Sequence, residues 1–362
     1  MDPTTLTNLD DFEKAAVGTM PQMSYDYIAG GSDDERTLRD NRAAFARWRM
    51  RPRMFRGVGT RSLETTVLGH KLAFPVGVAP SAMHQLAHPD GEVATARAAG
   101  NAGALLVVST LASKRLEDIS AAATGPRWFQ LYWYKDKELT RDLFERARDA
   151  NYTAIVLTAD APVLGRRERD IRNQFAPPPD VKLRNFETEE SSTLKVGGAG
   201  SSLGNYVSAQ AEPNLTWKDV EWLAATCQLP VLVKGVLHPD DARLAAEHGA
   251  KGVVVSNHGG RQLDGALSGI DALPDVVEVA DQHGLEVLVD GGFRRGTDVL
   301  MALGLGAKAV LLGRPIIWGL AVDGEAGATK VLDMLKAEFD VAMALAGCPT
   351  VADIPRDLVV RV

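Results

Sequence analysis

The chain has 362 residues, 45% of them hydrophobic and 24% charged, enough apolar material for a substantial core, which excludes disorder over most of its length. A formal net charge of −7, with no lysine or arginine block, excludes nucleic acid or an anionic membrane surface as the principal partner. Cys227 and Cys348 are too few for a disulfide framework, and no cysteine/histidine cluster has zinc-site spacing; a reducing cytoplasm and no metal are expected. The acidic start MDPTTLTNLDDFEKAA lacks the basic head and apolar run of a secretory signal, and Val360-Arg361-Val362 is no peroxisomal address. No stretch of about 18 apolar residues is available to span a bilayer.

In chain order, residues 1–70 precede the first strand and are expected to form helices and a cap over the floor or rim of the domain. Eight short, nearly continuous apolar runs follow: PVGVAPSA (75–82), LLVVST (105–110), RWFQLYW (127–133), AIVLTAD (154–160), VLVKGV (231–236), GVVVSNH (252–258), EVLVDGG (286–292) and AVLLGRP (309–315). Runs this short and rich in Val, Ile and Leu read as strands buried on both faces, separated by amphipathic segments such as Asp136–Ala150 and Pro239–His248. Eight such units predict an α/β fold, a TIM (β/α)8 barrel over about 71–350, in a single domain of 1–362. A doubly wound open sheet is the alternative, but it does not explain eight units whose polar residues all sit at their C-terminal ends. Between strands four and five only Thr216–Cys227 reads as helix. From Pro177-Pro178-Pro179 through KVGGAGSSLGN (195–205) the composition predicts a long loop, about 174–213, at the barrel mouth, either a mobile lid or a disordered spacer.

Active sites of such barrels lie at the C-terminal ends of the strands, where this chain places Ser81, Ser109, Gln130, Tyr132, Thr158, Asp160, Lys234, Ser256, His258, Asp290 and Arg314. Strands seven and eight end in DGGFRRG (290–296) and GRP (313–315). Glycines there admit a phosphate to backbone N–H groups, a helix start near Gly296-Thr297-Asp298 adds a favourable dipole, and Arg294 or Arg314 adds charge. The plainer reading is a tight turn with its arginines in solvent. In SNHGGRQLDG (256–265), His258 is a candidate base, and Arg261, three residues on, a candidate clamp for a carboxylate. Together they suit a 2-hydroxy carboxylate. Asp160 either orients His258 or pairs with an arginine of APVLGRRERD (161–170). Lys234 either neutralises charge building on a reduced cofactor or pairs with an acid.

Taken together, these residues resemble the FMN-dependent L-2-hydroxy acid oxidase family, which includes glycolate oxidase and lactate oxidase. The resemblance runs almost end to end, through MSYDYIAGG (23–31), RPRMF (51–55), APSAM (79–83), AHPDGE (87–92), FQLYWYKD (129–136) and LTADAPVLGRRERDIRN (157–173) to VLVKGV, SNHGGRQLDG, DGGFRRGTDV and LLGRP. It implies that Tyr27, Arg167 and Arg261 hold the substrate carboxylate, that Tyr132 contacts its hydroxyl, and that His258 is the base with Asp160 its partner. For FMN it implies backbone contacts at Pro80, Ser81 and Ala82, joined by Ser109, Gln130, Thr158, Lys234 and Ser256, with Asp290, Gly291, Gly292, Arg294, Gly313 and Arg314 at the ribityl chain and phosphate.

The reaction so implied takes two electrons from C2 of the acid to the flavin, by a proton or a hydride route, and releases a 2-oxo acid. Plant-type glycolate oxidases carry a tryptophan where this chain has Leu111; the slimmer wall favours L-lactate or a longer aliphatic acid over glycolate. The long loop lacks the apolar character by which mandelate dehydrogenases of the family attach to membranes, and no cytochrome domain is expected ahead of the barrel. The expectation is therefore an oxidase using O2 and giving H2O2. The alternatives are a dehydrogenase of the same family serving a quinone or other carrier, a monooxygenase outcome, and, more distantly, a non-redox phosphate-binding barrel isomerase. A homo-oligomer, tetramer or octamer, is also implied.

Overall fold

The computed structural model describes residues 5–186, 201–202, 206 and 209–362. Eight parallel strands, β1 (Val76–Val78), β2 (Leu105–Ser109), β3 (Arg127–Leu131), β4 (Ile155–Thr158), β5 (Val231–Val236), β6 (Gly252–Val255), β7 (Glu286–Asp290) and β8 (Ala309–Leu312), close into a barrel. Closure comes where β8 pairs with β1, Val310 opposite Val76 and Leu312 opposite Val78. The expected barrel is present, and the open sheet is excluded because its first and last strands would have free edges.

Every strand is covered on both sides. Leu105, Val107, Trp128, Val156, Leu232, Val254, Leu288 and Leu311 fill the interior. The alternating residues Leu106, Val108, Phe129, Ile155, Val233, Val255, Val289 and Val310 pack outward under the helices. This two-sided burial is why the runs are apolar without interruption. Local chemistry sets the helix limits. Lys137–Asp149 starts where the Asp136 carboxylate accepts from the N–H groups of Glu138 (2.9 Å) and Leu139 (3.3 Å). Pro239–Glu247 has proline in its first turn, and Trp217–Thr226 opens with a Thr216/Asp219 capping box.

The segment before β1 covers both ends of the barrel. A hairpin of Thr65–Val67 and His70–Leu72 sends Val67 and Leu72 into the interior cluster, and Leu68 N–H donates to Glu286 at the start of β7 (2.8 Å), so it closes the floor. Helices Leu9–Val17 and Gln22–Ala29 share the outer core through Leu9, Phe12 and Ile28, and Gln22–Ala29 and Arg36–Ala43 reach the mouth. At the far end, beyond the expected limit at 350, Val359–Arg361 pairs antiparallel with Trp48–Met50 and ties the C-terminal residues to this segment. Of the expected loop, Phe175, Val181, Leu183 and Phe186 are buried, and Tyr134 bridges to Ala211. Nearly half of the segment read as a lid or spacer, 187–200, 203–205 and 207–208, lies outside the described residues.

Candidate active site

At the C-terminal ends of the strands an open cavity encloses about 1460 Å3, solvent at its mouth included. Its wall holds Tyr27, Pro80, Ser81, Ala82, Ser109, Leu111, Tyr132, Arg167, Lys234, His258, Arg261, Asp290, Gly291, Gly292, Arg294, Gly313 and Arg314. Gln130, Thr158, Asp160 and Ser256 lie behind that wall, each bonded to a residue on it or to one another. The structure thus gathers every expected site residue around one space.

His258 follows β6 on a backbone in the left-handed region (φ +59°), and its Nδ1 lies 2.9 Å from Asp160 Oδ1. A carboxylate at that nitrogen keeps the proton on Nδ1 and leaves the lone pair on Nε2. Burial pulls the His258 pKa below the ordinary histidine range; the Asp160 charge opposes this and the Lys234 charge adds to it. For Asp160, burial pushes upward but is outweighed by His258 and Lys234, so the carboxyl stays below its usual range. At neutral pH the pair is a neutral imidazole beside a carboxylate. Asp160 therefore pairs with the histidine and not with an arginine. Gly235 (φ +108°) makes room for it, since a Cβ there would come within 2.5 Å of the Asp160 Cβ.

Lys234 Nζ donates to Ser256 Oγ (2.9 Å) and lies 3.4 Å from Asp290 Oδ2; Ser256 Oγ donates to Asp290 Oδ1 (2.7 Å) and accepts from His258 N–H (3.0 Å). The lysine pairs with an acid, the plainer of its two readings, and also lines the cavity. Burial alone would lower its pKa, but Asp290 and Asp160 raise it, so the ammonium stays charged. Across β2, β3 and β4, Gln130 Nε2 donates to Thr158 Oγ1 (3.0 Å), while its Oε1 accepts from Ser109 Oγ (3.2 Å) and Thr110 N–H (3.1 Å). This fixes the amide's orientation.

On the cap side, the Arg261 guanidinium lies over the Tyr27 ring (4.9 Å) and donates to the Tyr27 carbonyl (2.6 Å) and the Gly30 carbonyl (3.1 Å). Tyr27 stacks in turn on Phe175 at 4.3 Å. Arg167 is buried with no acceptor for its Nε. Burial and the Arg261 charge push it down to about 10. Its neighbour Arg166 turns outward to Glu168, so of that arginine pair only Arg167 enters the site. Burial pushes the Tyr132 phenol up, which keeps it a hydrogen-bond donor at any physiological pH. Leu111 forms an apolar stretch of the same wall.

At the opposite end, Gly291 and Gly292 have φ of +99° and +84°, and a Cβ at Gly292 would overlap the Asn41 carbonyl oxygen. Arg294 is buried with its Nε unpartnered, and Asp10 and Glu13 stand off at 3.8 Å. Arg314 donates to the carbonyls of Ile28 (2.9 Å), Gly259 (3.0 Å) and Gly30 (2.8 Å), tying the cap to the loop after β6. Burial, with the charges of Arg261 and Arg294, pushes it down to about 9. Buried guanidinium groups that depress one another, two with orphaned Nε atoms, call for anions. The donors at this end suit a phosphate, and those on the cap side suit a carboxylate.

A helix does begin at Gly296, as expected, but the N–H groups around its start are not free for an anion. The N–H groups of Arg294 and Arg295 donate to Asp298 (2.9 and 3.0 Å), and that of Gly296 to Glu338 (2.9 Å), so those donors are already spent. Arg295 pairs with Glu338 at the surface. The helix whose start borders the cavity begins at Arg314, in the segment Arg314–Ala346 that is broken at Asp323 and Gly324, and meets the cavity through Gly313, Arg314 and Pro315. Sequence reasoning also missed Asn41 and Gln262. Gln262 donates to the Asp160 carbonyl (2.7 Å) and accepts from Gly165 N–H (3.0 Å), locking the loops after β4 and β6 together. It lies inside the quoted SNHGGRQLDG motif, but its partners are about a hundred residues away and no local pattern names them. Asn41 carries no signal beyond its place in a polar helix.

A buried histidine–carboxylate pair beside one set of buried guanidinium groups, with a second set across the same barrel mouth, fits an enzyme that holds an anionic cofactor while it works on an anionic substrate. Residues 16–361 match the family of FMN-dependent dehydrogenases. The chain is 49% identical to L-lactate oxidase of Nostoc sp., covering 96% of each chain, and 47% identical to 2-hydroxyacid oxidase 1 of Homo sapiens, covering 97% of this chain and 95% of that one. Among solved structures, a mandelate oxidase with (S)-4-hydroxymandelic acid superposes with a TM-score of 0.94 at 44% identity, covering 98% of this chain and 99% of that one. The chain belongs to the FMN-dependent dehydrogenase family, and its cofactor is FMN. Among the described residues no helix is long and apolar enough to cross a membrane.

Proposed function

We propose that the chain oxidises a small L-2-hydroxy acid to the 2-oxo acid, preferring L-lactate or a longer aliphatic acid to glycolate, with dioxygen as electron acceptor and hydrogen peroxide as second product. The observation that carries this reading is the neutral His258, paired at 2.9 Å with Asp160, on the wall it shares with the under-compensated Arg167 and with Arg261. Relatives named for lactate, for 2-hydroxyacids and for glycolate support the substrate class.

Arg167, Arg261 and Tyr27 hold the substrate carboxylate, and Tyr132 contacts the hydroxyl. This orientation places the C2 carbon before His258, which takes a proton as the C2–H bond breaks. Asp160 stabilises the imidazolium so formed. When bound, FMN supplies the two-electron acceptor. It is held by backbone at Pro80, Ser81 and Ala82, by Ser109, Gln130, Thr158, Lys234 and Ser256, and by Asp290, Gly291, Gly292, Arg294, Gly313 and Arg314 at the ribityl and phosphate end. Lys234, charged and buried, offsets negative charge that develops across the cavity. Leu111 leaves room for a substrate side chain. Residues 1–362 act as one domain in this reading, in a reducing cytoplasm and as a homo-oligomer, tetramer or octamer, which the family resemblance supports.

Anaerobic stopped-flow reduction with L- and D-2-hydroxy acids, followed by mixing with oxygen, tests the reading. L-lactate should reduce the flavin faster than glycolate or D-lactate, and oxygen should restore its spectrum with one peroxide per turnover. Faster reduction by glycolate overturns the preference; slow reoxidation without peroxide assigns a quinone or carrier dehydrogenase instead.

A further inference from the structure

The cap helix Arg36–Ala43 contributes one buried carboxamide, Asn41, and the loop after β6 contributes another, Asn257, next to His258. The two form a reciprocal pair: Asn41 Nδ2 donates to Asn257 Oδ1 (3.0 Å), and Asn257 Nδ2 donates to Asn41 Oδ1 (2.8 Å). Asn257 Oδ1 also accepts from Gly260 N–H (3.0 Å), and its Nδ2 also donates to the Leu267 carbonyl (2.9 Å). These bonds hold a turn in which His258, Gly259 and Gly260 are all left-handed, with φ of +59°, +66° and +75°. A non-glycine residue keeps that conformation only when its surroundings over-determine it. On its other side Asn41 abuts the phosphate-end glycines: a Cβ at Gly291 would lie 3.1 Å from its Oδ1, and one at Gly292 would overlap its carbonyl oxygen.

We propose that Asn41 is a positioning residue that couples the cofactor's phosphate end of the cavity to the backbone of His258. A carboxamide is required because it alone presents a donor and an acceptor side by side to the complementary pair on Asn257. Alanine removes both. Leucine restores volume without either, and aspartate keeps the acceptor but sets oxygen against oxygen. The inference rests on the reading of His258 as base and goes beyond it by assigning a residue on the cap to the placement of that base.

The test uses FMN-loaded Asn41→Ala and Asn41→Leu enzymes, reduced anaerobically over a range of L-lactate concentrations, and the corresponding apoproteins titrated with FMN. The limiting reduction rate should fall about tenfold or more, as expected when a reacting group is misplaced. The concentration giving half-maximal rate should stay within about threefold, because the carboxylate clamp is untouched. The FMN dissociation constant should rise in parallel, and leucine should do no better than alanine. Asn41→Asp, nearly isosteric, changes the packing least and should do no better than alanine, because it buries a carboxylate oxygen against Asn257 Oδ1. In the Asn41→Ala/Asn257→Ala double variant the loss should fall short of the sum of the two single losses, since the reciprocal pair is removed by either one, while the bonds of Asn257 to Gly260 and Leu267 are lost only with Asn257. A loaded Asn41→Ala enzyme reduced at the wild-type rate, a loss carried wholly by the half-maximal concentration, unchanged FMN affinity, full recovery with leucine, or additive effects in the double variant would each overturn the proposal. His258→Gln, run alongside, tests the underlying reading separately: near-normal flavin reduction in that variant sinks the base and leaves the Asn41 binding data standing.

Discussion

A histidine is useful as a base only if it is unprotonated at the working pH and its conjugate acid still has a counter-charge. Burial supplies the first condition for His258 and Asp160 the second. Replacing His258 with glutamine should leave a yellow protein whose flavin reduction is slowed by roughly 10²–10⁴-fold or more, read by anaerobic stopped flow. Because the His258 pKa is lowered, the wild-type reduction rate should hold through neutral pH and fall only as pH drops below the ordinary histidine value of about 6.5. Asp160→Asn removes the charge that opposes the lowering. Its acid limb should move to still lower pH while the plateau rate drops, and a limb displaced upward would contradict the assigned pairing. Stability follows the same sign: the folded state binds the His258 proton less readily than the unfolded chain, so this contribution is present above the unfolded pKa and is lost as pH falls from there through the lower folded pKa.

At the scale of elements, the eight strands and the helices between them were legible because burial on both faces and N-terminal caps leave local marks. The runs 105–110, 154–160 and 252–258 hold the strands Leu105–Ser109, Ile155–Thr158 and Gly252–Val255, and the segment predicted as Asp136–Ala150 is the helix Lys137–Asp149. The helix start after β7 falls at Gly296 as read, but its use for an anion was misread for an equally physical reason. Glycines and arginines marked a turn that can receive an anion, but the carboxylates of Asp298 and Glu338 occupy its donors, and Glu338 comes from the last helix. Loop substitutions test this level. Gly235→Ala places a methyl against Asp160 on a backbone with positive φ; it should lower the melting temperature and slow flavin reduction together, measured by thermal scan and stopped flow. Leu111→Trp narrows the wall after β2, and the ratio of kcat/KM for L-lactate to that for glycolate should fall by about tenfold or more in steady-state assays.

For the whole molecule, the cavity lies between the barrel and its cap, so the cofactor should bind the assembled fold and not the unfolded chain. FMN at about 100 times its dissociation constant should then add about 2.7 kcal/mol to stability, seen as a higher melting temperature than that of the apoprotein. Inorganic phosphate should give a smaller rise in the same direction, and no rise with either ligand would argue against the anion site around Arg294. By itself the sequence determined the barrel, the strand-end position of its polar residues and, through its motifs, the family, because periodicity, caps and motif order are properties of neighbouring residues. Tertiary structure decided that Asp160 faces His258 and not an arginine, that Arg167 and not Arg166 enters the site, that Arg314 braces the cap, and that Asn41 reaches the loop of the base. Those outcomes depend on which of several chemically competent partners ends up within about 3 Å, and residues far apart in sequence meet at that distance only when the barrel closes and the cap settles on its mouth.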